Sequence, residues 1–318
     1  MGCMTYEIDE ILNEAVMTGV PSVIVEGVDD ICIYSEIAKD NTPFSVEVYA
    51  VEHISGFGEG CDEVLRAISE IEEIRSSKHK TSDHVLGIID KDVRDFRGEA
   101  PESEAVLMLK HYSIESHFVS QTIVQHALKT CTRSSHEMIT NELCDFITRE
   151  IEGRLLRLYY FSLEALKKSL VRNYDAAFCY SYGYGRLKDE RAKELITAKK
   201  EELDAFAAEK NIEKSIISLK GIARGKWLID VFAEELVLCI NDLQGLCKDS
   251  AIESCRSCLN QAFDKCLYKV REGVNKNTIK SIALSNITGP EFVYIAQRIS
   301  SLKGSVVSKQ RSIGAVLQ

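Results

Sequence analysis

Ser22-Val23-Ile24-Val25-Glu26-Gly27-Val28-Asp29-Asp30 is a short apolar run, bounded by Pro21 and Gly27, that opens directly onto acids. Such a run reads as a buried parallel strand with Glu26 at its carboxyl end. Asp29 and Asp30 begin the next helix, Ile31 to Lys39, where carboxylates suit the helix dipole. Upstream, residues 6–18 read as a short amphipathic helix ending at Gly19. Downstream come a strand from Phe44 to Val51, a Gly-rich turn at 56–60 and a helix from Asp62 to Arg75. A third strand, His84 to Ile89, runs straight into Asp90-Lys91-Asp92, and a fourth, Ala105 to Leu109, feeds a helix beginning near Ser113. Strand and helix alternate four times with short links, which predicts a parallel α/β sheet.

Beyond about residue 120 the periodicity turns helical. Asn141 to Arg172 reads as a helical stretch interrupted at Gly153, Lys188 to Lys210 as a charged helix, Ile216 to Leu219 as a strand, and Lys226 to Leu246 as an amphipathic helix. Residues 304–318 are expected to be loosely ordered. The expected organisation is a catalytic α/β domain over 1–130 and a mostly helical region over 131–318.

The 318 residues, 45% of them apolar, suffice for a sizeable core. No apolar run approaches the roughly 20 residues needed to span a bilayer, so no membrane partner is expected. The first residues lack the basic and apolar regions of a secretory signal. Eleven cysteines, an odd number, fit free thiols in a reducing cytoplasm. The net charge of −10 is unevenly spread: residues 1–120 hold 25 acidic and 9 basic side chains, a net of −16, and residues 121–318 hold 24 and 30, a net of +6. An acidic metal-binding unit joined to a mildly basic polyanion-binding body fits that division, as does simple drift in surface charge.

In an open parallel sheet, ligands bind beyond the carboxyl ends of the strands. Glu26 and Asp90 both follow strands there, Asp30 lies one turn into the helix leaving the first strand, and Asp92 can return to the same side as Asp90. Crowded carboxylates repel one another unless a cation neutralises them. An all-oxygen cluster suits a hard ion, Mg²⁺ or Mn²⁺.

Glu26-Gly27-Val28-Asp29-Asp30, followed by Asp90-Lys91-Asp92, resembles the paired acidic motifs of Toprim domains. His111-Tyr112-Ser113-Ile114-Glu115 and Gly225-Lys226-Trp227-Leu228 resemble further elements of the OLD-like (overcoming lysogenization defect) branch of Toprim nucleases. The motifs cover residues 22–120 and about 220–240. The resemblance implies metal-assisted phosphodiester cleavage in which Glu26, Asp90 and Asp92 hold Mg²⁺ or Mn²⁺. Asp30 and Glu115 would complete the shell, and Lys226 would offset transition-state charge. It further implies an anti-phage effector acting on tRNA, restrained by an ABC-type ATPase subunit and homodimeric when active. A DNA nuclease with the same chemistry and a non-catalytic Toprim subunit are the alternatives.

Other constellations carry less. Cys247, Cys255, Cys258 and Cys266 are spaced by eight, three and eight residues, which fits one stripe of a continuous helix. Four ligands on one straight helix cannot surround a tetrahedral ion, so buried thiols are expected rather than zinc. The turn at 56–60 lacks the Lys-Ser/Thr partner of a phosphate loop and reads as a connecting loop. Tyr180, Tyr182 and Tyr184 could stack on unpaired bases. The charged face after them reads as a solvated helix.

Overall fold

The computed structural model describes residues 5–74 and 79–305. The chain runs α1 (Ile8–Thr18), β1 (Ser22–Val25), α2 (Val28–Asn41), β2 (Glu47–Ala50), α3 (Cys61–Glu72), α4 (Thr81–His84), β3 (Val85–Ile89), α5 (Arg94–Arg97) and β4 (Val106–Met108). Helices then dominate: α6 (Gln121–Cys131), α7 (Asn141–Leu155), α8 (Tyr159–Leu170), α9 (Glu190–Ala198), α10 (Lys200–Glu209) and α11 (Ile216–Ile222). The last are α12 (Gly225–Lys248), α13 (Arg256–Leu259), α14 (Lys276–Leu284) and α15 (Val293–Ser300). No helix among the described residues is long and apolar enough to cross a membrane.

Two compact units emerge. The first joins Met1–Ile89, Pro101–Met108 and Phe292–Gln318, and the second joins Asp90–Ala100 and Leu109–Glu291. In the first, four strands form one all-parallel sheet in the order β2-β1-β3-β4, with Val25 opposite Ala50, Ile24 opposite Gly87 and Ile89 opposite Met108. The chain steps from β1 out to β2, then back across to β3, so the strand order reverses beside β1, and crevices open at such reversals. Every residue of β1 and β3 is buried, as expected where helices cover a parallel sheet. Gly87 is required: a Cβ there would stand 2.8 Å from Ile68 and 3.0 Å from Val64, so α3 lies directly on β3. The last helix belongs to this unit too. Ser300 Oγ donates to Asn41 O at 2.9 Å, and Arg298 donates to Glu104 O at 2.7 Å.

The second unit is built around α12, whose buried face includes Trp227, Leu228, Val231, Phe232, Leu236, Ile240 and Leu243. It packs against α7, α14 and the 3-10 turn Ile114–Phe118. Four expectations need correction here. Ile216–Ile222 is a helix, not a strand, because Ser215 caps it by accepting from Ser218 N at 3.2 Å. Gly153 does not interrupt α7, and the break falls instead at the 3-10 turn Leu156–Leu158. The charged helix at 188–210 is two helices parted at Lys199. Finally, no continuous helix carries the four cysteines, since α12 stops at Lys248. Most of the C-terminal stretch at 304–318 lies outside the described residues.

Candidate functional site

In the first unit, Glu26 follows the last residue of β1 and is half-buried. Among the contacts that position it, its carbonyl accepts from Gly60 N at 3.1 Å, and its Oε1 accepts from the Cys61 thiol at 2.9 Å. Gly60 has a φ of 102°, open to glycine and strained for other residues, which lets the turn reach β1. The Gly-rich turn is therefore a brace. Its amides at Gly58 and Gly60 are already occupied, by Glu63 Oε2 at 2.9 Å and Glu26 O, which removes them from any phosphate cradle. Asp30 N bonds back to Gly27 O, starting α2 with Asp29 and Asp30 in its first turn.

Two acids that the motif reading missed join this rim. Glu52 Oε1 accepts from Val28 N at 3.2 Å, at the start of α2. A hydrogen bond to Glu52, then the charges of Glu52 and Asp29, hold the exposed Glu59 carboxyl above the ordinary carboxylate range. Like charges too close to ionise freely produce this effect. Acids therefore crowd one another here, and their oxygens suit a hard divalent cation.

In the second unit, Asp90 is the residue after β3 in the chain, and its Oδ1 accepts from Ile114 N at 3.2 Å. Asp92 sits at a φ of 48°, tolerable for Asp, and its amide donates to Tyr112 O at 2.9 Å. The Tyr112 phenol is held well above its usual range by burial, then by the charge and hydrogen bond of Asp92. Tyr112 in turn lies 5.0 Å from the Tyr180 ring, which stacks on Trp227 at 5.6 Å and 19°. Lys91, between the two aspartates, is tied to Asp95 at 2.7 Å.

Glu115 and Lys226 are drawn to one place. Ser113 Oγ donates to Glu115 Oε2 at 2.5 Å, and a Cβ on Gly225 would stand 1.9 Å from Ser113 Oγ and 2.7 Å from Glu115 Oε2. Only glycine lets α12 begin against this pair. Lys226 follows at once, exposed in the first turn of α12 and without an ion pair among the described residues. A cation there opposes the helix dipole, so the position is not explained by helix stability. Behind it, His117 is fully buried with Nδ1 3.2 Å from Ser113 O, and burial pushes its pKa down to about 4.

No protein-family model matches this chain, and no curated protein does. Among the described residues, the one group of potential ligands whose donor atoms all fall within the reach of a single ion is Cys247, Cys255, Cys258 and Cys266. The tyrosine loop is largely spent on packing. Tyr180 donates to Ile222 O at 2.6 Å and Tyr184 donates to Glu234, which leaves Tyr182 as the exposed ring. Arg224 fastens the loop by donating to the carbonyls of Tyr180 and Tyr182 at 2.9 and 3.3 Å. The aromatic run signalled this loop, but its role as the support behind Tyr112 and Asp92 had no sequence signature.

Proposed function

We propose that this chain is a Mg²⁺- or Mn²⁺-dependent Toprim-type nuclease of the OLD-like branch. The observation that carries the reading is topological: neighbouring parallel strands β1 and β3, beside the reversal in strand order, each lead directly into an acid, Glu26 and Asp90. Glu26, Asp90 and Asp92 hold the ion in this proposal, with Asp30 and Glu115 completing its shell. When bound, such an ion polarises a scissile phosphate and lowers the pKa of the attacking water. The crowding of Glu52, Glu59 and Asp29 near the start of α2 supports the fit, because a cation there would relieve the hydrogen bond and like charges that hold Glu59 up. Lys226 neutralises charge that builds on the phosphate oxygens in the transition state, and it has no ion pair among the described residues to hold it elsewhere. Tyr112 fixes Asp92 by accepting its amide proton and donating its phenol, so the carboxylate is presented in one orientation.

The motif order most resembles AriB, the Toprim effector of the PARIS anti-phage system. That resemblance is the ground for proposing a tRNA substrate and an ABC-type ATPase that restrains the nuclease, with a homodimer as the active form. The test is expression of the chain alone, with its ATPase partner, and with partner plus phage trigger, followed by sequencing of RNA ends. The proposal expects tRNA fragments that disappear in Glu26→Gln and Asp90→Asn. Intact tRNA with nicked plasmid DNA would instead identify a DNA nuclease, and no cleavage of either would identify a non-catalytic subunit.

A further inference from the structure

The segment that follows α12 has almost no hydrophobic core of its own. Between Asp249 and Asn275 the regular structure is one four-residue helix, α13, and a 3-10 turn at Phe263–Lys265. Its buried apolar residues are Cys255, Cys258, Cys266 and Tyr268, with Cys247 reaching them from the last turn of α12. A loop of this length cannot offset its ordering entropy with one tyrosine and a few thiols. The turn is nevertheless sharply defined, with Ser250 at a φ of 58° and Gln261 at 61°.

The four sulfurs lie within 4.8 Å of one another, and Cys255 Sγ to Cys266 Sγ is 4.0 Å. A disulfide would need about 2.05 Å. Sulfurs placed tetrahedrally about one zinc, each at about 2.3 Å, would be about 3.8 Å apart. The ligands of a multi-iron cluster bind different irons and are spread more widely. The surrounding amides complete the pattern: Cys255 N donates to Cys247 Sγ at 3.3 Å, and the amides of Leu267 and Cys258 donate to the Cys255 sulfur. Amide donors to sulfur stabilise thiolate, the form that binds metal. The central Cys-x-x-Cys pair, on and beside the first turn of α13, supplies two of the four ligands from one tight turn.

We infer that Cys247, Cys255, Cys258 and Cys266 form a structural four-thiolate zinc site that staples the 249–275 segment to the C-terminal end of α12. The site is closed, with four protein ligands and no open position, so it supports the fold rather than reacting. What it fixes is substantial. The stapled segment carries Tyr268, whose hydroxyl donates to Met138 O at 3.2 Å, and Val270, which bridges Thr132. Arg271 N donates to Cys131 O at 2.8 Å and its Nε to Thr132 O at 2.7 Å. Through these bonds the staple ties α12 to the end of α6, while the opposite end of α12 carries Gly225 and Lys226.

The full chain, purified under reducing conditions without chelator, should contain one tightly held zinc by elemental analysis. Exchange with Co²⁺ should give the intense sulfur-to-cobalt and ligand-field absorption of a tetrahedral four-thiolate centre. Cys258→Ser should lose the zinc, and Cys32→Ser, at an exposed cysteine outside the group, should keep it. Because Cys258→Ser can fail to fold, the wild-type stoichiometry and cobalt spectrum are the deciding readouts. A folded wild-type chain with no zinc and no four-thiolate cobalt spectrum overturns the inference, as does iron in place of zinc. Retention of stoichiometric zinc by folded Cys258→Ser overturns it too.

Discussion

Gly225→Ala probes the closest approach in the candidate site. The added methyl would stand 1.9 Å from Ser113 Oγ, 2.7 Å from Glu115 Oε2 and 3.1 Å from Glu115 Cβ. Ser113 and Glu115 are bonded to each other at 2.5 Å, so neither turns aside without giving up that bond. Overpacking of this kind costs about 1–3 kcal/mol. Replacing Gly by Ala returns up to about 1 kcal/mol in a helix interior, and less at the first residue of α12. The net expectation is a loss of about 1–2 kcal/mol, or a few degrees in unfolding midpoint for a chain of this size. Cleavage should suffer more, by about 100-fold, because displacing the start of α12 shifts Lys226 relative to Glu115. Thermal unfolding and single-turnover cleavage read the two effects separately. Ser113→Ala in the same chain removes the nearest atom and should restore most of the lost stability. Wild-type stability and cleavage in Gly225→Ala would refute the packing argument and the role built on it.

Further expectations follow from the same geometry. Lys226→Ala should slow cleavage by about two to three orders of magnitude while leaving unfolding unchanged, because the side chain is exposed; substrate affinity should fall far less, and an unchanged rate would return this lysine to the surface. Chelation should stop cleavage and Mg²⁺ or Mn²⁺ restore it, whereas Ca²⁺ should bind without comparable turnover because its geometry is looser. Acid should destabilise the chain through His117. Its folded pKa, about 4, lies below its ordinary value of 6.5, so the unfolded state takes up the proton first; its contribution is whole above pH 6.5 and is lost as pH falls toward 4. By pH 5 one such histidine costs about 2 kcal/mol, and denaturant titrations of His117→Asn should show a correspondingly flatter pH dependence.

The α/β half was legible because β1 and β3 are short apolar runs, rich in Val and Ile, that end directly on Glu26 and Asp90, and these signals are local. Strand order and the brace from Gly60 to Glu26 were not, since both depend on pairing between distant segments. Ile216-Ile217-Ser218-Leu219 looked like a strand by composition, yet the cap from Ser215 decided for helix. Gly153 looked like a break, but it is exposed in α7 and costs only about 1 kcal/mol there. The cysteines misled for a geometric reason: intervals of eight, three and eight fit a helical stripe as well as a folded loop. The polar run Lys248-Asp249-Ser250 was the available sign that the helix stops. The apolar face of α15, with Ile295, Ala296 and Ile299 buried, does not say which element it covers; that it returns to α2 and to the Glu104 carbonyl, 194 residues before Arg298, depends on pairing between distant segments.

The proposed function assigns Glu26 and Asp90 to one catalytic cation. Mn²⁺ binding, followed by electron paramagnetic resonance in wild type, Glu26→Gln, Asp90→Asn and the double variant, tests it directly. Each single variant should weaken the same site by at least about tenfold, equivalent to about 1.4 kcal/mol, and the double variant should lose little more than either alone. Wild-type binding in both single variants, or two independent losses that simply add, would contradict it.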